Sequence, residues 1–346
     1  MKGLILCAGR GTRMQPFSHT TPKTLLPVAN RPLLQYCIEK LQRVGIAEIG
    51  VVINPQQTGI IDFLNGLKTP CTVKIIKQTR PLGIANAVQK AKGFLQNDPF
   101  VLLLGDNLLC EELHPLLQAF EGQDAALMLS RVENPRDYGI AEIRDGKILS
   151  LEEKPAAPKS DLAVIGAYVF QSAIFRAIAE LKPSARGEYE ITDAIQQLIM
   201  RGGSVAFAIT DKPYSDVGTL ERWVLANRWM LGASHGSRIE IGENVRIENC
   251  TIRGPVLIGD NCILQNAEIG PYVAVQDGVT LQSCQIADSI CLEGSTICGV
   301  DVKIEQSVFG RATTLQGGGE TKKITCMLGD HSQVALPKPR TNKGKH

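Results

Sequence analysis

From Ile241 onward the chain repeats itself every 17 residues, and few folds can accommodate that. The rows read IGENVRIENCTIRGPVL, IGDNCILQNAEIGPYVA and VQDGVTLQSCQIADSIC, followed by a looser fourth, LEGSTICGVDVKIEQSV. Stacked, Ile241, Ile258, Val275 and Leu292 share one column; Ile247, Leu264, Leu281 and Cys298 share a second; Ile252, Ile269 and Ile286 share a third. Each row carries three apolar positions spaced six, five and six residues apart, and its fifth position (Val245, Cys262, Val279, Thr296) is small enough for a tight corner. One inward aliphatic on each of three faces is the signature of a parallel β-helix. The period excludes heptads and ordinary amphipathic helices. The expectation is a left-handed β-helix over residues 239–335 and a polar, basic tail over 336–346 that lies disordered.

Residues 2 to 232 follow a different rule. Strand-like runs at Gly3–Cys7, Ile49–Ile53, Val73–Lys77, Val101–Leu104, Ala125–Leu129, Val164–Phe170 and Val205–Ile209 alternate with helical patterns at Leu33–Val44, Gly59–Leu67, Gly83–Leu95 and Leu113–Phe120. Several strands are continuous apolar runs, as in sheets covered on both faces. The alternation predicts an α/β domain, Rossmann-like, with ligands beyond the carboxyl ends of its strands. Gly139–Ile143 followed by Asp145-Gly146 predicts a hairpin, which makes the sheet mixed. Gly232 to Ser237 reads as the link between domains 1–232 and 239–335.

A net charge of +2 gives no global attraction to nucleic acid or anionic membranes. No apolar run approaches the roughly 18 residues that span a bilayer, and Met1 leads into a strand without a signal-peptide layout. The ten cysteines show no zinc-site spacing. They are expected to be reduced, small buried hydrophobes in a cytoplasmic protein.

The stretch LILCAGRGTRMQPFSHTTPKTLLP carries the first chemistry. Leu4–Leu6 runs into a small-residue loop, Ala8-Gly9-Arg10-Gly11-Thr12-Arg13. Glycines let backbone approach a ligand, and successive N–H groups make an anion-binding concavity. Arg13 and Lys23 add positive charge, and Pro22 restricts the backbone on which Lys23 stands. Asp106 ends an apolar strand and reads either as a helix cap or as a Mg²⁺ ligand; Asp216, in a constrained Tyr-Ser-Asp-Val-Gly loop, could complete a metal site. Lys154 precedes Pro155. Gln78 and Gly83 follow a strand, Gln78 with an amide able to pair with a base, and Arg186 precedes a helix start that Thr192 or Asp193 could cap.

As an ordered set, GRGTRMQPFSHTTPKTLLPVANRP, QTRPLGIANAV, LLGDNLL, LEEKP, AVIGAYVF, ARGEYEITDAI and YSDVG, followed by the β-helix, resembles the sugar-1-phosphate nucleotidyltransferases, and among them the long-form glucose-1-phosphate thymidylyltransferases, over nearly the whole chain. The resemblance implies that Gly9, Gly11, Thr12 and Arg13 hold a nucleoside triphosphate, with Leu6, Ala8 and Pro81 on the nucleotide side and Gln78 and Gly83 reading the pyrimidine. It implies Lys23 on phosphate in the transition state and Asp106 and Asp216 on Mg²⁺. Tyr138, Gly139, Glu153 and Gly166 would shape the sugar pocket, and Lys154 and Arg186 would hold the sugar phosphate. The partners implied are dTTP or UTP and glucose 1-phosphate, with a homo-oligomer formed through the β-helix. Thr24 departs from the pattern, standing where thymidylyltransferases commonly have Gln, which bears on base and sugar preference.

Two other functions compete. The β-helix could carry an acyltransferase site, but that half has only His235, His331 and His346, none expected within the coils. A non-catalytic sugar-nucleotide sensor would typically have lost a lysine or a metal-binding acid, and Arg13, Lys23, Asp106, Lys154 and Asp216 are all present.

Overall fold

The computed structural model describes residues 1–318 and 323–337. It divides into two compact units: Met1–Arg10 with Leu33–Asp216, and Gly11–Pro32 with the chain from Val217 onward.

The first unit is built on a nine-stranded sheet. Its strands are β1 (Lys2–Leu6), β2 (Glu48–Ile53), β3 (Thr72–Lys77), β4 (Phe100–Leu104), β5 (Ala125–Arg131), β6 (Gly139–Arg144), β7 (Lys147–Glu153), β8 (Leu162–Phe170) and β9 (Val205–Ile209). The order is β7-β6-β8-β4-β1-β2-β3, with β5 pairing β8 and β9. Neighbours from β4 to β3 run parallel, whereas β8 is antiparallel to β4, β5 and β6. The sheet is therefore mixed, as expected. Central strands are apolar throughout because both faces are covered: Leu4, Ile5, Leu102 and Val101 are fully buried. On one face, Ala85 and Val88 of helix Ile84–Lys90 and Ala194 and Ile195 of helix Ile191–Met200 pack with Leu4, Leu102 and Leu127. The β6–β7 hairpin turns through Asp145 (φ 51°) and Gly146 (φ 73°), two left-handed residues whose twist suits a hairpin.

Two local expectations change. The single helix read over Gly83–Leu95 is two, Ile84–Lys90 and Lys92–Leu95, meeting at Ala91. Neither Thr192 nor Asp193 caps its helix: both lie inside Ile191–Met200, and Glu190 occupies the cap position without a side-chain cap bond.

The second unit is a parallel β-helix with one long helix, Leu220–His235. That helix starts at Thr219, whose hydroxyl accepts from the Arg222 amide (3.3 Å), and runs through the expected Gly232–Ser237 link as far as His235. It covers one β-helix face, burying Leu231 against Leu257 and Ala274. Parallel strands stack on that face as Ile239–Ile241, Val256–Ile258, Val273–Val275, Ser289–Cys291, Val308–Phe309 and Met327–Leu328, consistent with a left-handed β-helix. Asn244, Asn249, Asn261 and Asn266 turn corners at positive φ, and Asn249 donates to Asn266 on the next coil (2.8 Å).

The 17-residue columns hold through three rows and then slip. Val275 pairs with Cys291, not Leu292, and Leu281 pairs with Ile297, not Cys298. The third coil is one residue short there, and the fourth carries two extra residues, 301 and 302, opposite the irregularity after Cys284, so that Ile286 again meets an isoleucine, Ile304. The corner expected at Thr296 accordingly falls on buried Ser295, whose carbonyl accepts from Thr280 N (2.9 Å). The inward aliphatics of the first coil end the stack and remain exposed, Ile241 at 48% and Ile247 at 43%. His331 does sit in a coil, at a left-handed corner of the last one. Leu336 still pairs with that stack through the Gln316 carbonyl (2.8 Å), and the tail from 338 lies outside the described residues.

Candidate active site

Two acids, Asp106 and Asp216, are placed by the end of β4 and a short ladder beyond it. Beyond β4, the Gly105 amide donates to the Leu6 carbonyl (2.9 Å), tying this turn to the end of β1. A Cβ at 105 would lie 2.5 Å from Cys7 Sγ, so only glycine fits. Asp106 follows, and no helix starts there, which removes the cap alternative. Instead Leu108–Leu109 forms a two-residue strand antiparallel to Tyr214–Ser215, with Leu108 opposite Ser215. Asp106 precedes Leu108 by two residues and Asp216 follows Ser215 directly, so this short ladder carries both aspartates to the same end. Asn107 braces the turn: its amide donates to Leu104 O (3.0 Å) and its Nδ2 to Ile165 O (3.2 Å). Gly166 (φ 75°) makes room for that side chain, since a Cβ there would collide with the Asn107 amide. Nearby Cys37 is an inert thiol, pushed up to about 12 by burial and then by the charge of Asp106. Among the described residues, no group of three or more His, Cys, Asp or Glu could hold a metal ion. Two aspartates fit Mg²⁺, which takes one or two carboxylates and keeps waters or phosphate oxygens for the rest.

A second cluster forms where β7 ends beside helix Ile191–Met200. Glu153 pairs across the hairpin with Gly139, and Thr192 donates its hydroxyl to Glu153 Oε2 (3.2 Å). Any Cβ at 139 would meet Thr192 Cγ2 at 2.5 Å and Glu153 Oε2 at 3.1 Å. Burial and then the charge of Glu190 raise the Glu153 carboxyl, opposed by Arg186 and Lys154. Arg186 is wrapped by acids: its Nη2 reaches Glu190 Oε1 (3.0 Å) and Glu188 Oε2 (3.1 Å), and its Nη1 lies 3.8 Å from Glu153 Oε1. Lys154 stands at a left-handed residue (φ 46°) whose amide donates to Tyr138 O (2.9 Å). Tyr138 meets the Tyr214 ring edge-on at 6.4 Å.

The residues of this unit expected on the nucleotide side are tied to that cluster through the backbone of Tyr189. Buried Gln78 donates from Nε2 to Asn86 Oδ1 (2.9 Å) and Gly83 O (3.4 Å). Gly83 (φ 98°) lies against Tyr189, where a Cβ would be 2.5 Å from the Tyr189 carbonyl. Tyr189 N donates to Leu82 O (2.8 Å) and Ala85 N to Tyr189 O (3.0 Å), so two backbone hydrogen bonds join the Gln78–Asn86 stretch to the loop that carries Arg186. Pro81 is exposed and Ala8 buried, while β1 ends at Leu6. Gly9 accepts from Gln57 Nε2 (3.1 Å), and nothing lies within 4 Å of where its Cβ would stand.

In the second unit, Gly11 (φ 63°) opens the 3₁₀ turn Thr12–Met14 that carries exposed Arg13. Its missing Cβ would lie 3.0 Å from Lys23 Cβ. Lys23 itself is buried, in the turn Lys23–Leu25. Thr24 is also buried, and its Oγ1 has no hydrogen-bond partner among the described residues.

Within the first unit, exposed Gly9 follows a central strand and two acids stand at one end of a ladder, a set that suits phosphate chemistry. The sequence of residues 2–231 matches the family model described as Nucleotidyl transferase. The chain belongs to the nucleotidyl transferase family. It is 36% identical to a glucose-1-phosphate thymidylyltransferase of Streptomyces griseus, over 97% of this chain and 99% of that one. A second such enzyme, from Streptomyces antibioticus, is 35% identical over the same shares. Among solved structures, a Bacillus anthracis protein described as a glucose-1-phosphate thymidylyltransferase superposes with a TM-score of 0.62 at 35% identity, covering 66% of this chain and 94% of that one. The family membership makes this chain a nucleotidyltransferase. Among the described residues no helix is long and apolar enough to cross a membrane.

Sequence reasoning gives no site role to four residues, although each lies inside one of the quoted motifs: Asn86, Asn107, Glu190 and Thr192. Glu190 has one available signal, its place four residues after Arg186, and Thr192 carries only the expectation of a helix cap.

Proposed function

We propose that this nucleotidyltransferase joins a nucleoside triphosphate, dTTP or UTP, to glucose 1-phosphate, giving the nucleoside diphosphate sugar and pyrophosphate. The observation that carries the reading is the Leu108–Ser215 pairing, which delivers Asp106 and Asp216 to one end of a ladder beyond the carboxyl end of β4. A phosphate oxygen of the sugar phosphate attacks the α-phosphorus in line, and pyrophosphate leaves without a covalent enzyme intermediate. The obstacle is repulsion between two anions. Gly9, Gly11, Thr12 and Arg13 hold the triphosphate with backbone N–H groups and one guanidinium, and Lys23 neutralises charge that builds in the transition state. Leu6, Ala8, Pro81, Gln78 and Gly83 frame and read the nucleotide. Lys154 and Arg186 hold the sugar phosphate, and Tyr138, Gly139, Glu153 and Gly166 shape the sugar pocket, with Glu153 accepting sugar hydroxyls. Asp106 and Asp216 would hold Mg²⁺, which when bound supplies positive charge to the phosphate oxygens. Self-assembly through the β-helix belongs to the same proposal and is tested by the mass of the particle in solution.

The deciding experiment offers dTTP, UTP, GTP, CTP and ATP in turn with glucose 1-phosphate and Mg²⁺, and measures pyrophosphate. Release with dTTP or UTP is expected. No release with any of the five overturns the reading. Asp106→Asn is expected to lower turnover by a factor on the order of a hundred or more while the fold survives.

A further inference from the structure

The segment that carries Arg13 and Lys23 lies between β1 and helix Leu33–Arg43 in sequence, yet it belongs to the unit that contains the β-helix. Two sets of contacts inside that unit hold it. At its far end, Trp223 Nε1 donates to Pro27 O (2.6 Å), Asn227 Oδ1 accepts from Ala29 N (2.8 Å) and Asn30 Nδ2 donates to Val275 O (2.7 Å). Nearer the cations, the last coil takes over. Thr20 Oγ1 donates to Asp330 Oδ2 (2.6 Å) across 310 residues of sequence. Pro16 packs on the same corner, where a Cβ at Gly329 would lie 2.7 Å from Pro16 Cγ.

Asp330 divides its carboxylate between two tasks. Its Oδ1 accepts from Arg311 N (2.8 Å) on the preceding coil, as Asp260 Oδ1 accepts from Glu243 N (2.7 Å) and Asp277 Oδ1 from Asp260 N (2.9 Å) in earlier coils. Its Oδ2 leaves the ladder and takes Thr20. The carboxylate is thus fixed by the coil and in turn fixes the segment. Thr20 stands three residues before Lys23, and its hydroxyl also reaches Phe17 O (3.2 Å), whose ring meets buried Trp223 edge-on at 5.2 Å.

We propose that the last coil of the β-helix positions the phosphate-binding cations, with Asp330 acting through Thr20 on the segment that bears Arg13 and Lys23. This rests on the function proposed above. Thr20 and Asp330 are positioning residues: the β-helix contributes to the reaction by setting where two charges stand.

The test is Thr20→Val, which deletes the donor at nearly constant volume and leaves the Asp330–Arg311 bond in place. The expected result is a kcat/KM for the nucleoside triphosphate lowered by roughly tenfold or more, a KM for glucose 1-phosphate within about twofold of the parent, and an unchanged melting temperature. Thr20→Ser, which keeps the donor, restores the parent values. A Thr20→Val enzyme equal to the parent, or a loss shared by both substrates that serine does not rescue, overturns the proposal. Amide hydrogen exchange without substrates separates this from failure of the functional reading. Faster exchange over residues 12–25 in both Thr20→Val and Asp330→Ala is required by the proposal. Unchanged exchange overturns it whatever reaction the enzyme performs.

Discussion

Thr192 donates its hydroxyl to a Glu153 carboxylate that is already hard to ionise. Burial is the main cause and the negative charge of Glu190 the second; Arg186, Lys154 and the Thr192 bond oppose them only in part. If Glu153 must be ionised to accept sugar hydroxyls, kcat/KM for glucose 1-phosphate falls on the acid side at a pH above the ordinary glutamate value of about 4.3. The linkage to stability has the opposite sense. The folded state binds this proton more tightly than the unfolded chain, so the contribution is full below the ordinary glutamate pKa and is lost as pH rises through the raised one. Glu153→Gln should remove both the acid limb of the rate profile and that slope in stability. An acid limb unchanged in Glu153→Gln would assign it to another group.

Arg186 is held by Glu190 differently from the way it is held by Glu188. The Glu190 side chain is 5% exposed, and its Oε1 takes both Nε (3.2 Å) and Nη2 (3.0 Å) of the guanidinium as well as Ser184 Oγ (2.9 Å). Glu188 is 44% exposed and makes one bond (3.1 Å). The buried partner orients the cation; the exposed one is screened by water. Glu190→Gln should therefore raise the KM for glucose 1-phosphate by roughly tenfold, the worth of one charge-assisted bond. Glu188→Gln should leave it unchanged or slightly lower. Steady-state kinetics on the two variants, with the nucleotide saturating, checks the contrast, and equal effects would show that Arg186 is not set by Glu190.

The sheet was legible because its central strands are unbroken apolar runs and because Asp145-Gly146 marks a hairpin turn without ambiguity. The β-helix was legible from its period. What the period lacks is hydrogen-bond register: it counts residues, and the one-residue deficit before Cys291 is invisible when Cys291 and Leu292, or Ile297 and Cys298, are adjacent and both apolar. At the site, Asp106 and Asp216 could be named from their loops, but the two-residue strands that bring them to one ladder are too short to leave a pattern. The grouping of Gly11–Pro32 with the second unit had no local signal either, since its partners Trp223, Asn227, Val275 and Asp330 lie about 200 to 310 residues away.

The register slip has a direct test. Ile297 is fully buried, on the Leu281–Leu315 column, while Cys298 is half-buried beside Gln282. Ile297→Ala should destabilise the protein by about 2–5 kcal/mol, the usual cost of emptying a buried aliphatic site. Cys298→Ala should cost under about 1 kcal/mol. Chemical denaturation followed by circular dichroism distinguishes them, and a reversed order would restore the 17-residue register through the fourth coil.

Gly9 and Gly11 occupy the same loop for different reasons, and alanine at each should separate them. Gly11 has φ 63°, and its Cβ would press on Lys23 Cβ at 3.0 Å. Alanine in that left-handed conformation costs about 1–2 kcal/mol, and the contact forces Lys23 to shift. Gly11→Ala should therefore lower both the melting temperature and turnover. Gly9 has nothing within 4 Å of its Cβ position, so the fold has no objection to alanine there. If the open space beside Gly9 is where a triphosphate lies against the backbone, Gly9→Ala keeps the melting temperature of the parent and loses affinity for the nucleotide alone. A thermal melt paired with the nucleotide KM reads both effects. A Gly9→Ala enzyme with an unchanged nucleotide KM would move the triphosphate away from this part of the loop, leaving Gly11, Thr12 and Arg13 to hold it.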